Sequence, residues 1–327
     1  MENPILVDES LFDEAFIPER LVSREWQIRE ISKSLKSTKV GKSIKNLFVF
    51  GPPGVGKTIV TKWVLKEHFP KDSVYVNCWS NRTSHKVMED VLRQLGFLIH
   101  GRESTNELIK KFEKSKKKII VCLDEFDHLK DTDILYDLAR SSSGLVLISN
   151  QSYSLAEIDA RIKSRLFLEE TEFKPYNREE ILEILKDRVN FGFRPGTISD
   201  SLLTIVSGLC NGDARIGLQT LRLAANEAEL KDLNMITIEE IKAAARSTRK
   251  YRLSYLLGKL NEHQKIIYEI LKKKKAMKSG ELFDECKKKS KEDIIDRSYR
   301  NYMQRMEELG LVREHGTGRW KKYEIIV

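Results

Sequence analysis

Gly51-Pro52-Pro53-Gly54-Val55-Gly56-Lys57-Thr58 decides how this chain is read. An apolar run at 47–50 leads into it, and a segment of helical period from 56 to 69 leads out. Strand, glycine-rich loop and helix, in that order, is the context in which such a loop cradles phosphate. The glycines let backbone N–H groups curl around the oxyanions, and the helix N-terminus adds a favourable dipole. Lys57 is placed to reach the β- and γ-phosphates and the Thr58 hydroxyl to ligate Mg2+. The binding segment is taken through Ile59. The expected cofactors are ATP or ADP with Mg2+.

Two more strand ends complete a phosphate-handling edge. Val121-Cys122-Leu123-Asp124-Glu125 is an apolar strand closing on two acids. Asp124 would hold Mg2+ through water, and Glu125 would polarise the attacking water. Asp127 is expected to cap the next turn. Leu147-Ile148-Ser149-Asn150 is a third strand with a polar end, and Asn150 would orient water near the γ-phosphate. Arg161 and Arg165 follow a short helix, and Arg165 is preferred as a finger reaching a neighbour's nucleotide. Gly212-Asp213-Ala214-Arg215 opens a later helix, from which Arg215 could reach back to the γ-phosphate in cis.

Around these motifs, apolar runs at 47–50, 74–78, 119–123, 145–149 and 166–169 read as strands. Helical segments at 23–37, 56–69, 84–95, 105–115 and 132–139 separate them. That alternation predicts a parallel sheet wound with helices. After Pro175 the pattern is all helical: Asn177 caps a helix to about 190, others cover 200–209 and 213–230, and Thr237-x-x-Glu240 is a capping box. From 251 the order is helix (262–273), helix (279–288), helix (296–309), then strands at 311–314 and 321–327 about Gly316-Thr317-Gly318. That is a winged-helix pattern. The domains are read as 1–170, 171–250 and 251–327.

Composition narrows the class. The chain has 327 residues, 40% hydrophobic and 33% charged, enough apolar side chain for real cores. No apolar run approaches the roughly 20 residues that cross a bilayer. The acidic start, MENPILVDES, lacks the basic region of a signal peptide. Cys78, Cys122, Cys210 and Cys286 stand far apart, so buried reduced thiols in a cytoplasmic protein are expected, with no membrane partner.

Net charge is +9, and residues 250–327 hold 20 basic against 12 acidic side chains. A localised positive charge is the footprint of a nucleic-acid binder. A winged helix reads DNA with its third helix, where Arg297, Ser298, Arg300 and Asn301 are base-edge or phosphate candidates. Tyr302, Met303, Met306 and Leu309 would face the core. Arg319, Lys321 and Lys322 sit at the wing, the arginine suited to a minor groove and the lysines to phosphate.

Taken together, these pieces resemble AAA+ ATPases. Ile17-Pro18-Glu19-Arg20-Leu21-Val22-Ser23-Arg24-Glu25-Trp26-Gln27-Ile28 is similar to the entry segment of archaeal origin-recognition-type replication initiators. Val76-Asn77-Cys78 with Arg82-Thr83-Ser84-His85-Lys86-Val87 resembles that family's strand and initiator-specific helix. Lys174-Pro175-Tyr176-Asn177, the Gly212–Arg215 stretch and the terminal winged helix extend the likeness over nearly the whole chain. The loop's Pro52-Pro53 and Gln151 after Asn150 depart from that family's common pattern.

The resemblance implies an α/β AAA+ P-loop domain with a parallel sheet, then an all-α lid domain and a C-terminal winged-helix domain. It places Tyr176 and Arg188 at the nucleotide, and Arg82, Thr83 and Lys86 on DNA. It implies an ATPase with slow, switch-like hydrolysis that binds duplex origin DNA. It further implies a replicative helicase as partner and a paralogous initiator or a second copy on DNA. Two other readings stay open: an ATP-gated DNA-binding regulator, and a signalling P-loop ATPase whose winged helix docks protein.

Overall fold

The computed structural model describes residues 4–36, 46–115, 118–141, 144–290, 294–316 and 318–326. The expected helix end at 37, the turn residue Thr317 and the last strand residue, Val327, lie outside them. The chain divides into two compact units, meeting at 236/237.

The first unit is built on five strands: β1 (Asn46–Phe50), β2 (Ser73–Asn77), β3 (Ile120–Asp124), β4 (Gly144–Ser149) and β5 (Leu168–Glu172). They pair in parallel in the order β2-β3-β4-β1-β5. Strands buried on both faces read as continuous apolar runs, as β1, β3 and β4 do. Alternation then splits them between two cores. Phe48, Val121, Leu123 and Leu147 point to the face covered by α3 (Ser84–Gln94), α4 (Thr105–Lys114), α5 (Asp133–Arg140) and α6 (Ala160–Leu166). Leu47, Val49, Cys122 and Val146 point to the face covered by α1 (Glu25–Lys36) and α2 (Lys57–His68). All four cysteines are buried.

Two expectations shift. The fifth strand starts at Leu168, not 166, because Leu166 ends α6 and Phe167 turns through a left-handed φ of 39°. Its sequence, LEETE, carries almost no apolar signal, so pairing to β1 defines it. Asp127 does not cap the following turn. It lies inside a 3-10 turn, Phe126–His128, entered from Glu125 at φ +53°.

Three helices, α7 (Arg178–Gly192), α8 (Asp200–Leu209) and α9 (Ala214–Leu230), follow the sheet. Their starts are written in the sequence: Asn177 makes a capping box with Glu180, Ser199 caps α8 and Asp213 caps α9. The N-terminal arm lies along them. Leu6 bridges Phe193, the Phe12 ring packs on Phe193, and Glu9 pairs with Arg222.

The second unit opens with α10 (Ile238–Gly258), started by the Thr237–Glu240 capping box and unbroken to Gly258. Then come α11 (Glu262–Lys274), β6 (Ala276–Lys278), α12 (Ser279–Lys289), α13 (Asp296–Glu308), β7 (Val312–His315) and β8 (Lys322–Ile325). The strands form an antiparallel sheet in the order β6-β8-β7. β6 was absent from the sequence reading, being three residues long with one buried side chain, Met277. Met303 and Met306 enter the core as expected, with Tyr302 and Leu309 at its margin. Tyr299, read only as part of the helix start, is fully inside and donates its hydroxyl to Ser279 O (3.1 Å). Among the described residues no helix is long and apolar enough to cross a membrane.

Candidate functional site

The loop between β1 and α2 owes its path to its glycines. Gly54 and Gly56 take φ of +78° and +93°, where side chains are strained. A Cβ on Gly54 would strike the Asp213 carboxylate, and one on Gly56 the Tyr176 hydroxyl. The loop is thus closed on residues far away in sequence. Gly51 shares this crowding against Phe173, while Pro52 and Pro53 stay half-exposed. Val55 is buried and Ile59 packs on the same core.

Lys57 is buried at the start of α2. Its Nζ donates to Gly51 O (2.7 Å), Pro52 O (2.8 Å) and Asn150 Oδ1 (2.9 Å). Burial pushes its pKa down to about 8; Asp124 is the largest opposing charge, and Arg215 adds to the depression. A desolvated ammonium turned toward carbonyl oxygens is suited to exchange them for phosphate oxygens.

Register brings the strand ends together. Asp124 pairs with Ile148 and Phe50 with Ser149, so Asp124, Glu125, Asn150 and Lys57 share one edge of the sheet. Thr58 donates its hydroxyl to Asp124 Oδ2 (2.8 Å), and Asp124 Oδ1 accepts the Glu125 N–H (2.9 Å). A hydroxyl beside a carboxylate is an oxygen donor set that suits a hard divalent cation. Among the described residues no group of three or more His, Cys, Asp or Glu could hold a metal unaided. With phosphate oxygens and water as further ligands, this hydroxyl–carboxylate pair would fit Mg2+ carried by a nucleotide. Glu125 reaches toward His128, with Oε2 4.0 Å from Nε2.

The helices beyond the sheet close the loop from above. Tyr176 is buried, and burial raises its pKa. Its ring carries the Arg24 guanidinium at 3.6 Å. Arg24 also donates to Val55 O (3.1 Å) and Lys174 O (2.9 Å), tying the entry segment to the loop. The sequence reading used Arg24 only as part of a signature; a buried arginine with carbonyl partners is invisible in one dimension. Arg215 bonds Asp213 through Nε and Nη2 (3.2 Å each) and stands 4.0 Å from Glu14. Arg188 is buried further along α7, with its guanidinium over the Phe16 ring at 4.9 Å and its Nε without a hydrogen-bond partner among the described residues. Gly54→Ala is expected to destabilise the protein by roughly 1–3 kcal/mol, through strained backbone and a displaced Asp213; a lowered thermal midpoint checks it.

The remaining candidates lie outward. Arg165 is exposed on α6 with its guanidinium over Tyr136 (4.9 Å). Thr83 caps α3 by accepting from Lys86 N, and Lys86 is exposed. Arg82 is exposed and stacks on Trp79 (4.6 Å), an indole 41% exposed that sequence reasoning passed over. In the second unit Arg297, Arg300 and Asn301 are exposed on α13, and Ser298 is half-buried. Gln304 extends that face at helical spacing. Arg300 pairs with Asp296 on its own helix. Lys322 is exposed, whereas Lys321 is paired with Glu314 (2.9 Å). The Arg319 side chain lies outside the described atoms. Its neighbour Trp320, 78% exposed, marks the wing tip.

Comparison with known proteins agrees with this architecture. An AAA domain model matches residues 42–198, a Cdc6 AAA+ ATPase-type lid domain 182–246 and a Ribonuclease R winged-helix domain 265–323. ORC1-type DNA replication protein 1 of Sulfurisphaera tokodaii is 31% identical over 94% of this chain and 86% of its own length. ORC1-type DNA replication protein 2 of Methanosarcina mazei is 31% identical over 97% and 92%. The fold is shared with the Aeropyrum pernix ORC1 protein in complex with DNA (TM-score 0.73, 24% identity, 99% of this chain, 94% of that one). It is shared too with the Aeropyrum pernix ORC2 protein in its ADPNP–ADP complexes (TM-score 0.78, 19% identity, 98% and 94%). With a nucleotide-binding AAA domain, a Cdc6-type lid and near-full-length relatives at 31% identity, the chain belongs to the ORC1-type DNA replication proteins, a family of AAA+ ATPases.

Proposed function

We propose that the protein is an ATP-switched replication initiator that binds duplex origin DNA and helps recruit or load the replicative helicase. The observation that carries the ATP half is the meeting of Lys57, Asn150, Thr58 and Asp124 at one sheet edge. The replication half follows from the family.

In this reading the glycine loop from Gly51 to Gly56 wraps the phosphates and Lys57 neutralises the β- and γ-phosphoryl oxygens. Thr58 and Asp124 would hold Mg2+, which when bound would supply charge neutralisation at the γ-phosphoryl group. Glu125 and Asn150 orient and polarise the attacking water. Arg215 exchanges Asp213 for the γ-phosphate, linking the lid to the state of the nucleotide. Tyr176, just before α7, borders the nucleotide, with Arg188 beyond it on the helix. Arg165, exposed on α6, serves a neighbouring copy or paralogue on DNA. Hydrolysis is slow and acts as a switch, and the protein works in the cytoplasm at the nucleoid. The functional division is 1–170 for the nucleotide, 171–250 for the lid and 251–327 for DNA.

DNA contact is assigned to the exposed α13 face, with Arg297, Ser298, Arg300 and Asn301, and to Arg319, Lys321 and Lys322 of the wing. Arg82, Thr83 and Lys86 add a second contact. The two kinds of contact are separable. Arg300→Ala is expected to weaken binding to the preferred duplex by about 1–3 kcal/mol and relax sequence preference. Lys322→Ala is expected to weaken binding to all duplexes alike and reduce the salt slope by about one. Fluorescence anisotropy over a salt series measures both; identical behaviour of the two variants on every duplex counts against base reading by α13.

A further inference from the structure

Asp124 has a third partner that no motif announces. Tyr75, in the middle of β2, donates its hydroxyl to Asp124 Oδ2 at 2.6 Å, the same oxygen that takes the Thr58 hydroxyl at 2.8 Å. The other oxygen, Oδ1, accepts the Glu125 N–H. A carboxylate offers about four lone-pair sites. Two donors on Oδ2 and one on Oδ1 leave a single acceptor site, on Oδ1.

Tyr75 is itself held from three sides. β2 is an edge strand of the sheet, and its outward backbone groups at Tyr75 are bracketed by one amide: Tyr75 N–H donates to Gln94 Oε1 (3.2 Å), and Gln94 Nε2 donates to Tyr75 O (2.8 Å). The ring lies under the Lys62 ammonium at 4.0 Å, and Lys62 belongs to the helix that follows the phosphate loop. The hydroxyl is therefore aimed by a fixed backbone and a fixed ring. Asp124 cannot rotate without leaving it.

We infer that Tyr75 is a positioning residue for the magnesium-binding carboxylate: its hydroxyl saturates Asp124 Oδ2 and so presents Oδ1 to the water shell of the nucleotide-bound ion. Partners of this kind orient the groups that hold a metal, and losing one typically weakens metal affinity 10- to 100-fold. The inference rests on the proposed magnesium role of Asp124.

The test is the Mg2+ midpoint for binding a fluorescent ADP analogue, measured on the full chain for wild type, Tyr75→Phe, Asp124→Asn and the double variant. Phenylalanine keeps the ring beneath Lys62 and removes one oxygen. Tyr75→Phe is expected to raise the Mg2+ midpoint about tenfold. It should leave analogue binding in EDTA and the thermal midpoint in EDTA unchanged, and saturating Mg2+ should restore turnover. In the Asp124→Asn background the same change should add nothing. An unchanged or lowered midpoint in Tyr75→Phe, with Asp124→Asn still raising it, overturns the role of Tyr75 alone. An unchanged midpoint in Asp124→Asn overturns the magnesium reading beneath it. A Tyr75→Phe effect that persists in EDTA, or in the Asp124→Asn background, shows a structural role instead.

Discussion

Replacing Lys57 with alanine is expected to lower nucleotide affinity roughly a hundredfold, by removing charge-assisted contacts to phosphate of about 1.5–3 kcal/mol. The buried Nζ now rests on Gly51 O, Pro52 O and Asn150 Oδ1. Its pKa of about 8 is set first by burial. A lysine whose pKa is lower folded than unfolded holds its proton less tightly in the folded state, so at neutral pH that charge opposes folding. Lys57→Ala is therefore expected to keep or raise the thermal midpoint without nucleotide, and to lose the rise that nucleotide gives wild type. A fall in the nucleotide-free midpoint would mark Lys57 as a structural residue. The same sign gives a pH dependence. Phosphate restores the ammonium, so binding takes up a proton above about pH 8, and affinity falls as pH rises past that value.

Glu125→Gln is expected to bind nucleotide like wild type while turning over about 10²–10⁴-fold more slowly. Glutamine preserves volume and polarity but is no base. Glu125 sits at φ +53°, a strained conformation for a non-glycine residue, held by its N–H on Asp124 and by the His128 N–H on its carbonyl (3.0 Å). That turn lifts the side chain past the strand end. Single-turnover hydrolysis beside analogue binding separates the two steps. Equal losses in both would move Glu125 from chemistry to nucleotide binding.

Much of the fold was legible because burial writes itself into strands. β1, β3 and β4 are covered on both faces, and their apolar runs end on the residues that form the site. Caps at Asn177 and Thr237 fixed two helix starts. Legibility failed where signal was spread across distant partners. β5 is read two residues early because pairing with β1, not apolar side chains, sets its bounds, and β6 is too short to show a period. Arg24 reads as an ordinary charge until Val55 O and Lys174 O surround it. Tyr75 reads as a strand residue of the alternating type, because nothing local reveals that its hydroxyl meets Asp124. Trp79 carries no local signal, yet the folded chain leaves it 41% exposed with Arg82 stacked on it.

We propose that a nucleotide-switched AAA+ unit and a basic winged helix act together on origin DNA. It is tested most directly by binding of the purified protein to fluorescent duplexes, an origin fragment against its scrambled sequence, across a salt series with ATP and with ADP. Tighter binding to the origin fragment, a nucleotide-dependent affinity, a steep loss with salt and a weakened preference in Arg300→Ala are expected. Absence of duplex binding at moderate salt would contradict it, and would make the winged helix a protein-docking module on an AAA+ ATPase.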